Sequence, residues 1–146
     1  MRPNLQLFND MGSEAFSAGV GQLAPYFTSI DPKVVELKPG YCEVYLQNQS
    51  KVHNHLGTIH AIAMCNAAEL AGGMATDVSL SGDARWIPQG MTVRYLKKAK
   101  TDLKVICDTS KVDFSQDGPA VVHVDAINSD GEICFDANIT MNIKHD

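Results

Sequence analysis

The sequence predicts an α+β fold in which an antiparallel sheet wraps one central helix, and three observations carry that expectation. The stretch Ile59 to Ala75 is apolar on nearly every face, as a buried helix is. Strand-like segments joined by turn signals follow it in hairpin succession, the last pair linked by Ser129-Asp130-Gly131. The helix is also rich in alanine and carries Gly72-Gly73, so a sheet can approach it closely. Strands in succession bury a helix completely only by curling round it, which defines the two layers.

Taken in order, apolar positions at Leu5, Leu7, Phe8, Met11, Ala15 and Phe16 predict one helix over 4–19, lying across the outside of the core. Pro25 and Asp31-Pro32 punctuate a connector. Val34–Leu37, the turn Lys38-Pro39-Gly40 and Tyr41–Gln47 read as a hairpin whose second arm buries Cys42, Val44 and Leu46. The polar turn Asn54–Gly57 then runs into the long helix, with Thr58 as N-cap and an end between Gly72 and Asp77. Four strands follow: 84–98, interrupted at Pro88-Gln89-Gly90 by a bulge or an irregular strand start, then 103–112, 120–128 and 132–143. The sheet therefore has about five to six strands.

A chain of 146 residues is read as one domain, 1–146, long enough to enclose a core. The net charge of -5 argues against nucleic acid as a partner, because phosphate-binding surfaces are normally basic. No apolar signal region follows Met1, and Asn66 and Glu69 interrupt the most apolar run, so a cytoplasmic location without membrane contact is expected. Cys42, Cys65, Cys107 and Cys134 are too scattered for a zinc motif and read as buried thiols. His53, His55 and His60 lack a His-Glu-x-x-His frame, and no metal is expected.

Glu69 stands in the middle of the apolar helix, where an unpaired carboxylate is costly to bury. A desolvated glutamate suits a general base, and the helix start offers free N–H groups to a developing oxyanion. The stretch Asn54-x-x-Gly57-Thr-x-His60-Ala61, with the acid at Glu69 and the strand Met91-Thr-Val-Arg-Tyr95 beyond, resembles the hotdog-fold acyl-CoA thioesterase superfamily, in particular its PaaI-like members. The resemblance implies a hotdog fold and hydrolysis of an acyl thioester to acid and free coenzyme A. It places Glu69 as base or nucleophile, and Asn54, Gly57 and the backbone at His60 and Ala61 around the thioester. No cofactor is implied, since coenzyme A belongs to the substrate. Many relatives carry glycine where this chain has Ala61, whose methyl narrows the approach to the backbone.

Ala61 and Glu69 are eight residues apart, about 12 Å along a helix, too far to share one reacting carbon. If both act, the acid comes from a second copy, and a homodimer with shared sites is expected; the family also forms dimers of dimers. The basic cluster Arg94, Lys97, Lys98, Lys100 and Lys104 has two readings, a seat for coenzyme A phosphates or a solvated strand end. Two other functions stay open: a hotdog 3-hydroxyacyl dehydratase using His55 and Glu69, and a non-catalytic acyl-CoA binding module. Met64, Leu70, Met74 and Trp86 are expected to line the acyl tunnel.

Overall fold

The computed structural model describes residues 1–146. Helices α1 (Pro3–Met11) and α2 (Ser13–Leu23) precede a hairpin of β1 (Lys33–Lys38) and β2 (Tyr41–Leu46). Helix α3 (Ala61–Ser79) follows, then β3 (Arg85–Tyr95), β4 (Leu103–Asp108), β5 (Gly118–Ile127) and β6 (Ile133–Lys144). The six strands form one antiparallel sheet in the order β1-β2-β4-β5-β6-β3, and α3 packs against every strand of it. The predicted helix wrapped by a sheet is present. No helix is long and apolar enough to cross a membrane.

Three expectations need correction. The helix over 4–19 is two helices, because Gly12 adopts a φ of +82° and its N–H closes α1 on the Phe8 carbonyl. Helix α3 runs on to Ser79, past the expected end, because Gly72 and Gly73 are packed inside it rather than at its terminus. The four late strands are also not a simple meander, since β3 pairs with β6 and leaves β4 to pair with β2. Burial explains that order. Strands β4 and β5 alternate buried and open positions, whereas β3 is exposed along most of its length. Central placement covers the apolar strands and sends the most exposed one, with Pro88 inside it, to an edge, where a missing N–H costs least. The register shift between Pro88 and Gly90 is the expected bulge.

The two sheet edges are treated differently. Beside β1, α2 supplies hydroxyls to the free backbone of Val34: Ser13 Oγ donates to its carbonyl at 2.5 Å, and its N–H donates to Ser17 Oγ at 2.8 Å. An edge occupied in this way is closed to further strands. No helix or loop covers β3, and Ile87, Met91 and Tyr95 stand exposed along it.

The N-terminus is fastened through a buried acid that the sequence did not single out. Asp77, 8% exposed, accepts hydrogen bonds from the Arg2 guanidinium at 3.1 Å, Asn4 Nδ2 at 3.0 Å and Trp86 Nε1 at 2.9 Å. Arg2 also donates to the Asp77 carbonyl and to those of Gly82 and Ala84. Trp86, expected in the acyl tunnel, is instead held by this acid with its ring over Gly73. Breaking a buried ion pair from one side costs about 3–5 kcal/mol. Asp77→Ala is therefore expected to lower unfolding stability by about 3 kcal/mol in urea titration, with the fluorescence of the single tryptophan red-shifted in the folded state.

Candidate functional site

The turn before α3 is built by Asn54. Its Oδ1 accepts from the backbone N–H groups of Leu56 at 3.0 Å and Thr58 at 3.2 Å, and its Nδ2 donates to Thr58 Oγ1 at 2.9 Å. Asparagine favours such turns because its short carboxamide mimics a backbone group. Gly57, at a φ of +76°, closes the turn in a conformation that side chains resist. Asn54 is thus largely occupied by its own loop, with one amide hydrogen left over.

His60, not Thr58, is the N-cap of α3. Its Nδ1 accepts from the Ile62 N–H at 3.0 Å, while Thr58 is buried within the Asn54 turn. The two expected backbone donors separate here. The His60 N–H donates to the Val52 carbonyl at 2.7 Å, whereas the Ala61 N–H makes no hydrogen bond within the protein. Ala61 therefore presents a free donor at the positive end of the helix.

Ala61 lines a recess of about 360 Å³ that also holds Asn54, Leu56, Met64, Tyr95 and Lys98. Sequence reasoning missed Tyr95 as a site residue; its ring stacks on Phe135, at 6.2 Å between centroids. The aromatic residue at the end of the strand already compared with the thioesterases was the available signal. A larger polar hollow of about 480 Å³ around Ser17, Gln22 and Tyr45 contains none of the predicted residues.

Glu69 is exposed, not buried as the sequence suggested. Helix α3 has a narrow open stripe of Ile62, half-buried Cys65 and Glu69, because the sheet curls round the other faces only. Glu69 lies in a separate recess of about 220 Å³ with Pro88, Gly90 and Met91 of β3 and Ile139 of β6. Burial raises the Cys65 thiol beside it above its ordinary range, against weaker hydrogen bonds that lower it. The acid and the free N–H thus belong to one helix but to different recesses.

Two residues of the basic cluster are already engaged. Arg94 grips Asp136 with two bonds, Nε to Oδ1 at 3.0 Å and Nη2 to Oδ2 at 2.5 Å, and Lys97 meets Glu132 at 2.5 Å. Lys98 makes no ion pair and faces the Ala61 recess. His123, Asp125 and Asp136 cluster on the outer sheet face, yet the Arg94 guanidinium already claims both Asp136 oxygens. The candidate dehydratase residue His55 lies exposed in the turn, without a hydrogen bond. Cys42, Cys107 and Cys134 are buried free thiols, as expected, and burial pushes Cys107 up to about 12.

The six-stranded antiparallel sheet wrapped round α3 is a hotdog fold. Residues 12–143 match the family described as Domain of unknown function (DUF4442), and the chain belongs to that family. No curated protein matches the sequence. A crystal structure described only as a genomics structure is 48% identical over 98% of this chain and 97% of its own, with a TM-score of 0.90. A thioesterase of Haemophilus influenzae shares the fold at 11% identity, covering 88% of this chain and 90% of its own, with a TM-score of 0.75. A thioesterase of Staphylococcus aureus does so at 13% identity, covering 84% and 100%, with a TM-score of 0.73. It was solved with a glutamine replaced by alanine, and separately with a downstream glutamate replaced.

The Arg94 pairing makes a pH-dependent prediction. Its hydrogen bonds hold the Asp136 carboxyl below its ordinary value of 3.8. A depressed carboxyl contributes stability above its unfolded value and loses it as pH falls through the folded one. Arg94→Gln is expected to destabilise at neutral pH, the gap from the natural protein closing as pH drops below about 3.8 in denaturant titrations.

Proposed function

We propose that this protein is a thioester hydrolase that acts on acyl-CoA as a two-fold dimer. One observation carries the reading. The free Ala61 N–H and the exposed Glu69 carboxylate sit in separate recesses eight residues apart, about 12 Å along α3. Neither recess has both groups, and two antiparallel copies of α3 would bring one of each together twice. The free β3 edge and the open stripe beside it support that arrangement, because β1 at the other edge is already covered. In the Staphylococcus aureus thioesterase, the substituted glutamine and glutamate stand as far apart in sequence as Asn54 and Glu69.

In this reading the thioester carbonyl accepts from the Ala61 N–H, whose helix end stabilises the charge that develops on oxygen. Water attacks the acyl carbon and gives a proton to the partner's Glu69. The carbon–sulfur bond breaks and the thiolate takes up a proton, releasing the acid and coenzyme A. Association covers Glu69 and removes competing water. Asn54 fixes the turn that aims Ala61, and it lines the same recess with one amide hydrogen unused. Of the cluster's unpaired lysines, Lys98 is the one that lines this recess and can meet a coenzyme A phosphate. Coenzyme A is part of the substrate, and no separate cofactor enters the reaction.

Ala61→Pro tests the donor selectively. Proline is favoured at the first helical position, and His60 already has the extended backbone, φ -63° and ψ 139°, that a following proline requires. The substitution is expected to lower kcat for thiol release by about 10²–10³, as loss of an oxyanion donor does, with the fold kept. Glu69→Gln is expected to lose turnover and keep acyl-CoA binding. Under subunit exchange, mixing the two inactive chains should restore roughly a quarter of natural activity, since each mixed dimer keeps one intact site. Thiol release unchanged in either variant removes that residue from the mechanism.

A further inference from the structure

From Ala61 to Gly73 of α3, only Ala61, Ile62, Cys65 and Glu69 escape burial. Four residues advance a helix about 6 Å and turn it about 40° past a full circle. Cys65 therefore lies midway between Ala61 and Glu69, both along the helix axis and around it. This open face is polarised. Its Ala61 end carries the positive end of the helix dipole, with Lys98 lining the same recess. Its other end carries the Glu69 carboxylate, facing a recess that holds no cation. Between them the surface is apolar. Ile62 is 53% exposed, and the exposed Met91 and Tyr95 of β3 line the recesses at the two ends. Such a face is complementary to its own reversed copy. A parallel copy would set like charges together, whereas an antiparallel one pairs opposite charges at both ends.

We propose that a second copy of this chain packs antiparallel on this face with the two-fold axis passing at Cys65, so that the two Cys65 thiols face each other. The inference rests on the shared-site reading above and adds the register of the interface to it. A two-fold operation that sets Ala61 against the partner's Glu69 maps the midpoint of that segment onto itself, and the midpoint is Cys65. Every other residue of the open face meets a different residue of the second copy. Helices packed about 8–10 Å apart bring small facing side chains into contact. Each thiol then stands about 6 Å along α3 from the reacting groups, in the wall between the two sites.

The test uses the natural chain in solution, where Cys42, Cys107 and Cys134 are fully buried and only Cys65 is open to a reagent. A short bismaleimide joins two thiols through thioether bonds. It is expected to convert most of the protein to covalent dimer on a denaturing gel, and Cys65→Ser should abolish that band. Cys65→Asp and Cys65→Lys each set like charges face to face. Each is expected to raise the dimer dissociation constant at least tenfold in sedimentation, and mixing the two should restore association. A native dimer without cross-link, or a cross-link that survives Cys65→Ser, overturns the assignment. Charge variants that pair as tightly as the natural chain overturn it too. So does a mixture that fails to recover while both variants keep the natural circular dichroism spectrum; if either misfolds, the bismaleimide result decides. A chain that stays monomeric overturns the pairing, and its thiol release from acyl-CoA decides the hydrolase reading separately. A cross-linked dimer without thiol release overturns the hydrolase reading and leaves the pairing standing.

Discussion

The close approach of α3 to its sheet is the constraint on which the rest of the architecture depends. A methyl group on Gly72 would stand 2.9 Å from Ile139 Cδ1, and one on Gly73 would stand 2.7 Å from the Trp86 ring. Neither distance is compatible with the close packing of a protein interior. Bare backbone at these two positions, with Ala67, Ala68, Ala71 and Ala75 around them, lets six strands reach one helix. The curl that results is incomplete. It leaves the stripe of Ile62, Cys65 and Glu69 facing outward beside β3, and that gap is where a second copy is placed in the proposed dimer.

Two acids on α3 illustrate how packing assigns roles to similar groups. Asp77 points to the closed end of the wrap, where Arg2, Asn4 and Trp86 meet it and tie α1 to the core. Glu69, two turns earlier on the open stripe, has no ion-pair partner and a recess in front of it. A carboxylate matched by three donors serves the fold. One left free against an exposed edge strand is available for chemistry.

Much of this was legible beforehand because it depends on local pattern. The alternation of Cys42, Val44 and Leu46 placed β2, Pro88 with Gly90 marked the bulge, and the apolar run placed the central helix. The turn from Asn54 to Gly57 was recognisable from its polar residues and its glycine. The cap was misplaced by two residues because Thr58 has the commoner capping side chain, while His60 has the geometry. Arg94 and Lys97 looked free because Asp136 and Glu132 lie far along the chain and reach them only across the sheet.

By itself, then, the sequence determined the class of fold, the helix at its centre, the bulged strand and the polar turn that precedes the helix. Those features are set by side-chain periodicity, turn chemistry and residue size within single segments. Only the tertiary structure decided the strand order, the exposure of Glu69, the capture of Arg94, and which backbone N–H at the helix start is free. Each of those depends on groups from different elements meeting: Val52 with His60, Asp136 with Arg94, β6 with β3. Periodicity reports the face a residue occupies on its own element, but not what the fold brings against that face.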